Sequence, residues 1–150
     1  MKEKFVNYFM RVAEETAELS HAERRKVGCV IVKDRRILSF GYNGMPAGWD
    51  NCCEYSAVDT GEIILHGMTR PEVLHSEMNA LMKLCQSTES SFGSTMFVTL
   101  SPCMDCAKAI HQAGISEVIY KDVYRDTSGI DFLKKCGVKI WQNETTGTIV

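Results

Sequence analysis

The sequence predicts an α/β sandwich built on a mixed sheet, with helices covering both faces. Three observations carry that expectation. Two short apolar runs flanking a charged turn read as an opening hairpin. Three later strand-like runs alternate with helical patterns, and no repeat, low-complexity block or linker interrupts the 150 residues. One domain spanning 1–150, with a substantial core of its own, is the expectation at this length.

Phe5, Phe9, Val12, Ala13, Thr16 and Leu19 recur at helical spacing, so 5–19 reads as an amphipathic first helix. Residues 27–32 (VGCVIV) form a β-branched, almost continuously apolar run, the pattern of a buried strand. The turn Lys33-Asp34-Arg35-Arg36 leads to a second strand over 37–42. The glycines and proline of 41–48 (GYNGMPAG) demand a loop. Residues 49–74 have weak periodicity, with room for a short helix, and carry Cys52, Cys53 and His66. From Ser76 a helical pattern returns, with Met78, Leu81, Met82 and Cys85 on one face. A polar loop over 87–94 precedes a strand at 95–100, a helix at 103–113 and a strand at 117–120. A helix at 129–136 and a strand at 138–141 complete the pattern, before a polar tail from Asn143.

A formal net charge of −2 provides no global basic field, so nucleic acid is not an expected partner. A small anionic substrate needs only a few well-placed donors and stays compatible. No run approaches the roughly 18 apolar residues of a membrane span, and the charged, amphipathic start lacks signal-peptide form. The cysteine count is odd, at seven, and Cys29, Cys85 and Cys136 lie in segments that read as core. Free thiols in a reducing compartment, the cytoplasm, are the expectation.

The chemistry concentrates in two short motifs. His75-Ser76-Glu77 opens one predicted helix, and Pro102-Cys103-Met104-Asp105-Cys106 stands at a strand-to-helix turn. Cys103 and Cys106, three apart at a helix start, can point both sulfurs at one spot, where unpaired N–H groups favour thiolates. Pro102 suits the place ahead of the helix, where no N–H is needed. With the His75 imidazole they make a Cys2His set, and three protein ligands leave a tetrahedral position open, the layout of a catalytic zinc. Glu77 can then approach a zinc-activated water without binding the metal, and act as a proton shuttle worth roughly 10²–10⁴-fold. H-x-E with P-C-x-x-C is the signature of zinc nucleobase deaminases. His21-Ala22-Glu23 also fits H-x-E, but it precedes a strand and no P-C-x-x-C follows at a similar interval, so it reads as a decoy. Plainer alternatives are a buried thiol pair at 103 and 106, a first-turn helix acid at Glu77, and a turn role for Asn43 in left-handed geometry. The basic cluster Arg24-Arg25-Lys26 reads either as a solvated loop or as part of a nucleotide-phosphate site.

Residues 26–42, the loop GYNGMPAG, the helix LHSEMNAL and the segment FVTLSPCMDCAKAIHQAGISEVIY together resemble the deoxycytidylate (dCMP) deaminases, including those of phage, within the cytidine-deaminase superfamily. The resemblance covers most of residues 26–141. It implies a three-layer α/β/α sandwich with a mixed five-stranded central sheet, and hydrolytic deamination of dCMP to dUMP and ammonia. It implies His75, Cys103 and Cys106 as zinc ligands and Glu77 as catalytic. Asn43 would meet the sugar 3′-hydroxyl, the backbone at Ser76 and Ser101 would hold the pyrimidine, and Tyr120 and Tyr124 would flank base or phosphate. It further implies a homo-oligomer, a hexamer favoured, activated by dCTP with Mg²⁺ and inhibited by dTTP near Lys26, Gly41, Tyr42, Asn43 and Gly44. The location is then the cytoplasm, of the host if phage-encoded.

Two departures stand out. Ser76 replaces the usual alanine between the histidine and the glutamate, and 49–74 is not a clean match. Some phage relatives carry a second, structural zinc, for which Cys52, Cys53, His66 and His21 are candidates without a full ligand set. Deamination of dCTP or of tRNA adenosine, and a non-catalytic zinc-containing nucleotide sensor, are the competing readings.

Overall fold

The computed structural model describes residues 1–56 and 67–144. Helix α1 spans Glu3–Ala17, followed by strands β1 (Gly28–Lys33) and β2 (Arg36–Tyr42). Helix α2 (Ser76–Cys85), strand β3 (Thr95–Leu100) and helix α3 (Met104–Gln112) come next, then β4 (Glu117–Asp122), α4 (Ser128–Lys135) and β5 (Lys139–Gln142). The five strands form one sheet in the order β2-β1-β3-β4-β5. Its β2-β1 and β1-β3 pairs are antiparallel, and its β3-β4 and β4-β5 pairs parallel. The expected mixed five-stranded sheet is present, and its edges follow the sequence reading to within two residues.

The register explains which side chains face which layer, because directly paired residues share a face. Val30, Phe97, Ile119 and Trp141 are paired in succession across the sheet. They meet Val6, Phe9, Met10 and Ala13 of α1, which covers this face. The neighbouring row, Ile31, Met96, Val118 and Ile140, turns to the opposite face. There it packs with Leu81 and Leu84 of α2, Ala107 and Ile110 of α3, and Ile130 and Leu133 of α4. These two clusters make the three layers. Full burial of a side chain such as Phe97 or Ile31 contributes about 1.5–3 kcal/mol.

The hairpin turn is tighter than its composition suggests. Asp34 and Arg35 both adopt left-handed backbone, at φ 51° and 62°. That is the pattern of a two-residue type I′ turn, whose twist matches the flanking strands. Val138 joins the end of α4 rather than β5, since its N–H donates to the Leu133 carbonyl. Within 49–74 the described residues form one isolated bridge, Glu54 with Thr69, and Leu74 bridges back to Gly44. Residues 57–66 of that stretch and the tail from 145 lie outside the described residues. No helix among the described residues is long and apolar enough to cross a membrane. Each of the seven cysteines is a free thiol.

One close approach sets the position of the chemistry. Helix α2 lies on β2 at Gly41, where a Cβ would stand 2.2 Å from the Ser76 carbonyl oxygen and 2.5 Å from the Ala80 amide nitrogen. Gly41 is therefore buried beneath α2, where it serves helix–sheet packing. Gly41→Ala should cost about 3 kcal/mol of stability through this overlap with backbone, a loss readable by denaturant unfolding.

Candidate active site

Two helix starts meet at the carboxyl end of β3. Cys103 occupies the N-cap position of α3 with Cys106 in its first turn, and His75 occupies the N-cap position of α2 with Glu77 two residues on. His75 Nδ1 lies 3.4 Å from Cys103 Sγ and 3.4 Å from Cys106 Sγ. The three ligand atoms all lie within 4.8 Å of one another. Bonds of ~2.3 Å to sulfur and ~2.0 Å to nitrogen in a tetrahedral zinc site set N···S separations of about 3.5 Å, so this donor set fits that metal. Among the described residues, His21, Cys52 and Cys53 join no such group. His66, the remaining candidate for a second site, lies outside the described residues. The start of α4 buttresses the metal-binding turn, since a Cβ on Gly129 would fall 2.1 Å from the Pro102 carbonyl oxygen.

The electrostatics suit this donor set. Hydrogen bonds from Cys106 and then His75 bring the Cys103 thiol down to about 4, so one sulfur is already a thiolate at neutral pH. The same bond to Cys103, with burial behind it, holds the proton of the pair on Cys106. The Cys103 hydrogen bond also raises the His75 imidazole, against the opposing pull of burial. Glu77 is only 4% exposed, and burial raises its carboxyl above the ordinary value. Its own backbone N–H, the charge on His75 and the Ser76 hydroxyl act in the opposite direction. Beneath it the Cys29 thiol is raised by burial and then by the Glu77 charge, so it stays a neutral floor.

These groups open into a cavity of about 630 Å³. His75, Ser76, Glu77 and Cys103 line it, with Val27, Val73, Leu100 and Val123 as apolar walls. Asn43, Ser101 and Tyr124 also line it. The Asn43 side chain accepts from the Val27 N–H at 2.8 Å and donates to the Arg25 carbonyl at 2.8 Å. Its backbone is not left-handed, so the simple turn reading of Asn43 is replaced by that of a clamp on 25–27. Ser101 accepts from the Tyr124 N–H through its hydroxyl, while its own N–H donates to the Asp122 carbonyl.

Other expected residues stand elsewhere. Tyr120 pairs with Val98 on the face turned to α2, α3 and α4, so it is buried in the core and does not line the cavity. Lys26 is exposed and ion-paired with Glu18 at 3.0 Å. Tyr42 and Gly44 use backbone groups to tie down Asn79 and Leu74, and neither lines the cavity.

Sequence reasoning missed Arg125 and Glu54, which line the cavity together with Arg24 and Arg25. Glu54 accepts from the Glu23 and Arg24 amides, at 3.2 Å each, and so fixes the segment bearing the two arginines. Arg25 is held by Asp122 at 2.7 Å, whereas Arg24 and Arg125 form no ion pair among the described residues. The run Arg24-Arg25 was a visible signal; nothing local marks Arg125 or Glu54.

Comparison with known proteins agrees with this geometry. Residues 3–122 match the family model described as the cytidine and deoxycytidylate deaminase zinc-binding region. Deoxycytidylate deaminase of Enterobacteria phage T4 is 37% identical over 150 residues, covering 77% of this chain and 78% of the relative. Deoxycytidylate deaminase of Mycobacterium phage D29 is 40% identical over 118 residues, covering 75% and 91%. The crystal structure of dCMP deaminase from the cyanophage S-TIM5, in complex with dCMP and dUMP, superposes with a TM-score of 0.87 at 43% identity, covering 95% of this chain and 99% of that one. The chain therefore belongs to the cytidine and deoxycytidylate deaminase family and is a zinc-binding deaminase, in which His75, Cys103 and Cys106 form a group able to hold a metal ion.

Proposed function

We propose that this chain hydrolyses dCMP to dUMP and ammonia. The observation that carries the reading is the buried Glu77 carboxylate beside the His75–Cys103–Cys106 cluster at the foot of a nucleotide-sized cavity. Phage relatives that act on deoxycytidylate support the choice of substrate.

In the reaction a C4–O bond forms to water and the C4–N bond to the amino group breaks. Zinc, when bound, supplies the Lewis acidity that brings a water's pKa down to about 7. Glu77 takes one proton from the attacking water and passes it to the ring N3, then carries the second, from the new C4 hydroxyl, to the departing amine. Burial serves this task, because a carboxyl raised above its ordinary value holds the proton between transfers. The Ser76 amide, at the first position of α2, has no carbonyl one turn back and is free to donate to the pyrimidine. Ser101 offers its carbonyl, its N–H being committed to Asp122. The Asn43 amide keeps one donor hydrogen and one lone pair for the sugar 3′-hydroxyl. Tyr124 forms part of the wall, with the Arg125 guanidinium 5.8 Å from its ring centroid.

Arg24 and Arg125 receive the 5′-phosphate in this reading, because they line the cavity and form no ion pair within 4.0 Å among the described residues. Arg24→Ala and Arg125→Ala should each lower kcat/KM for dCMP by about 10- to 100-fold, mainly through KM, with turnover of deoxycytidine little changed. Equal losses on both substrates, or no loss on dCMP, would remove these two residues from phosphate recognition.

Activation by dCTP with Mg²⁺ and inhibition by dTTP belong to the proposal on the strength of the family resemblance, as does assembly into a hexamer. Saturation by dCMP that is sigmoidal and becomes hyperbolic with dCTP supports the regulation. Saturation indifferent to both nucleotides overturns it.

A further inference from the structure

The serine between the metal ligand and the acid–base residue has a structural consequence of its own. Ser76 is 0% exposed, and its hydroxyl donates to Glu77 Oε2 at 2.9 Å. A buried hydroxyl must spend its hydrogen on some acceptor. In mid-helix a serine turns back to the carbonyl one turn earlier, but Ser76 is the first residue of α2 and has no such helical carbonyl. The neighbouring carboxylate takes the bond instead. The last torsion of a glutamate is broad and roughly two-fold, so an untethered carboxylate rotates easily. Alanine at this position, the residue of the usual pattern, would leave that torsion without this tether.

We infer that Ser76 is a positioning residue: its hydroxyl occupies Oε2 of Glu77 and, with the bond the carboxyl accepts from its own backbone N–H, fixes the rotation of the carboxylate for proton transfer. Proton transfer demands a carboxylate oxygen within about 2.6–3.2 Å of its partner, so a fixed rotation raises the fraction of productive encounters. The inference rests on the deamination reading above.

The test uses full-length, zinc-replete Ser76→Ala and the near-isosteric Ser76→Cys, whose thiol is a weak donor. For both, kcat on dCMP should fall about 10-fold with KM unchanged, the loss of one hydrogen bond to a charged group. Binding is read separately with two probes. One is dUMP, which has a planar C4; the other is a deoxynucleoside 5′-monophosphate whose reduced pyrimidine carries a tetrahedral C4 hydroxyl. Affinity for the second should fall about 10-fold while affinity for dUMP and zinc content hold, because only the tetrahedral centre engages Glu77 as the transition state does. Unchanged kcat and analogue affinity would overturn the inference, and so would parallel losses for both probes, which mark a packing role. Failure of the wild-type protein to deaminate dCMP removes the underlying reading; an active wild type with unaffected Ser76 variants removes this inference alone.

Discussion

Glu77→Gln should abolish measurable turnover and, in the metal-free protein, raise thermal stability. The first effect follows from the loss of the proton shuttle, expected to cost at least about 10²–10⁴-fold in kcat. The second follows from burial: the carboxyl is pushed up chiefly by desolvation, so its ionised form is held at a cost that a neutral amide of the same shape avoids. The sign with pH is fixed by the same shift. A carboxyl raised on folding binds its proton more tightly in the folded chain, so the wild type loses stability as pH rises above the ordinary carboxylate range. The gain in melting temperature on Glu77→Gln should therefore be about 3 °C near pH 7.5 and vanish near pH 4, a difference that scanning calorimetry resolves. A variant inactive and also less stable at every pH would mean that Glu77 serves the core rather than the reaction.

Removal of the metal should be equally decisive for activity. A chelator is expected to abolish turnover and Zn²⁺ to restore it, with no restoration by Mg²⁺, which avoids thiolate ligands. A ligand bound only to the folded chain at about 100 times its Kd stabilises by about 2.7 kcal/mol, so the melting temperature should fall by about 8 °C on stripping. His75→Ala should reproduce both losses and resist rescue by zinc. In the stripped protein Cys103, lowered to about 4 by its hydrogen bonds with Cys106 and His75, should be alkylated even at pH 5, where an unperturbed thiol is almost wholly protonated. Zinc should protect it. Activity that survives complete zinc removal, verified by metal analysis, would contradict the assignment of the cluster.

The parts of this molecule that were legible in its sequence are those fixed by local chemistry. Strand β3 reads cleanly because a strand buried on both faces is a nearly continuous apolar run, as Met96, Phe97 and Val98 make of TMFVTL. The His75–Cys103–Cys106 cluster could be anticipated because two helix starts impose its spacing: Cys103 and Cys106 sit three apart, and His75 opens α2. What could not be read depends on partners distant in the chain. The burial of Tyr120 follows from its pairing with Val98, and a strand end seen alone does not reveal which face it turns. Gly41 looks like a loop glycine until α2 is laid across it. Asp34 and Arg35 carry none of the glycine or asparagine that usually marks a type I′ turn, because the hairpin around them dictates the backbone. The cavity rim is assembled from Arg24, Glu54 and Arg125, three segments that only the folded sheet brings together.

The phosphate reading and the Ser76 inference both depend on one reaction. Its most direct test is ultraviolet-monitored incubation of the zinc-replete wild-type chain with dCMP, with released ammonia quantified and Glu77→Gln run in parallel. The expected result is conversion of the cytosine spectrum to that of uracil, one ammonia per nucleotide, and no change with the variant. An unchanged spectrum and no ammonia, from protein carrying one zinc per chain and tested with and without dCTP and Mg²⁺, would contradict it.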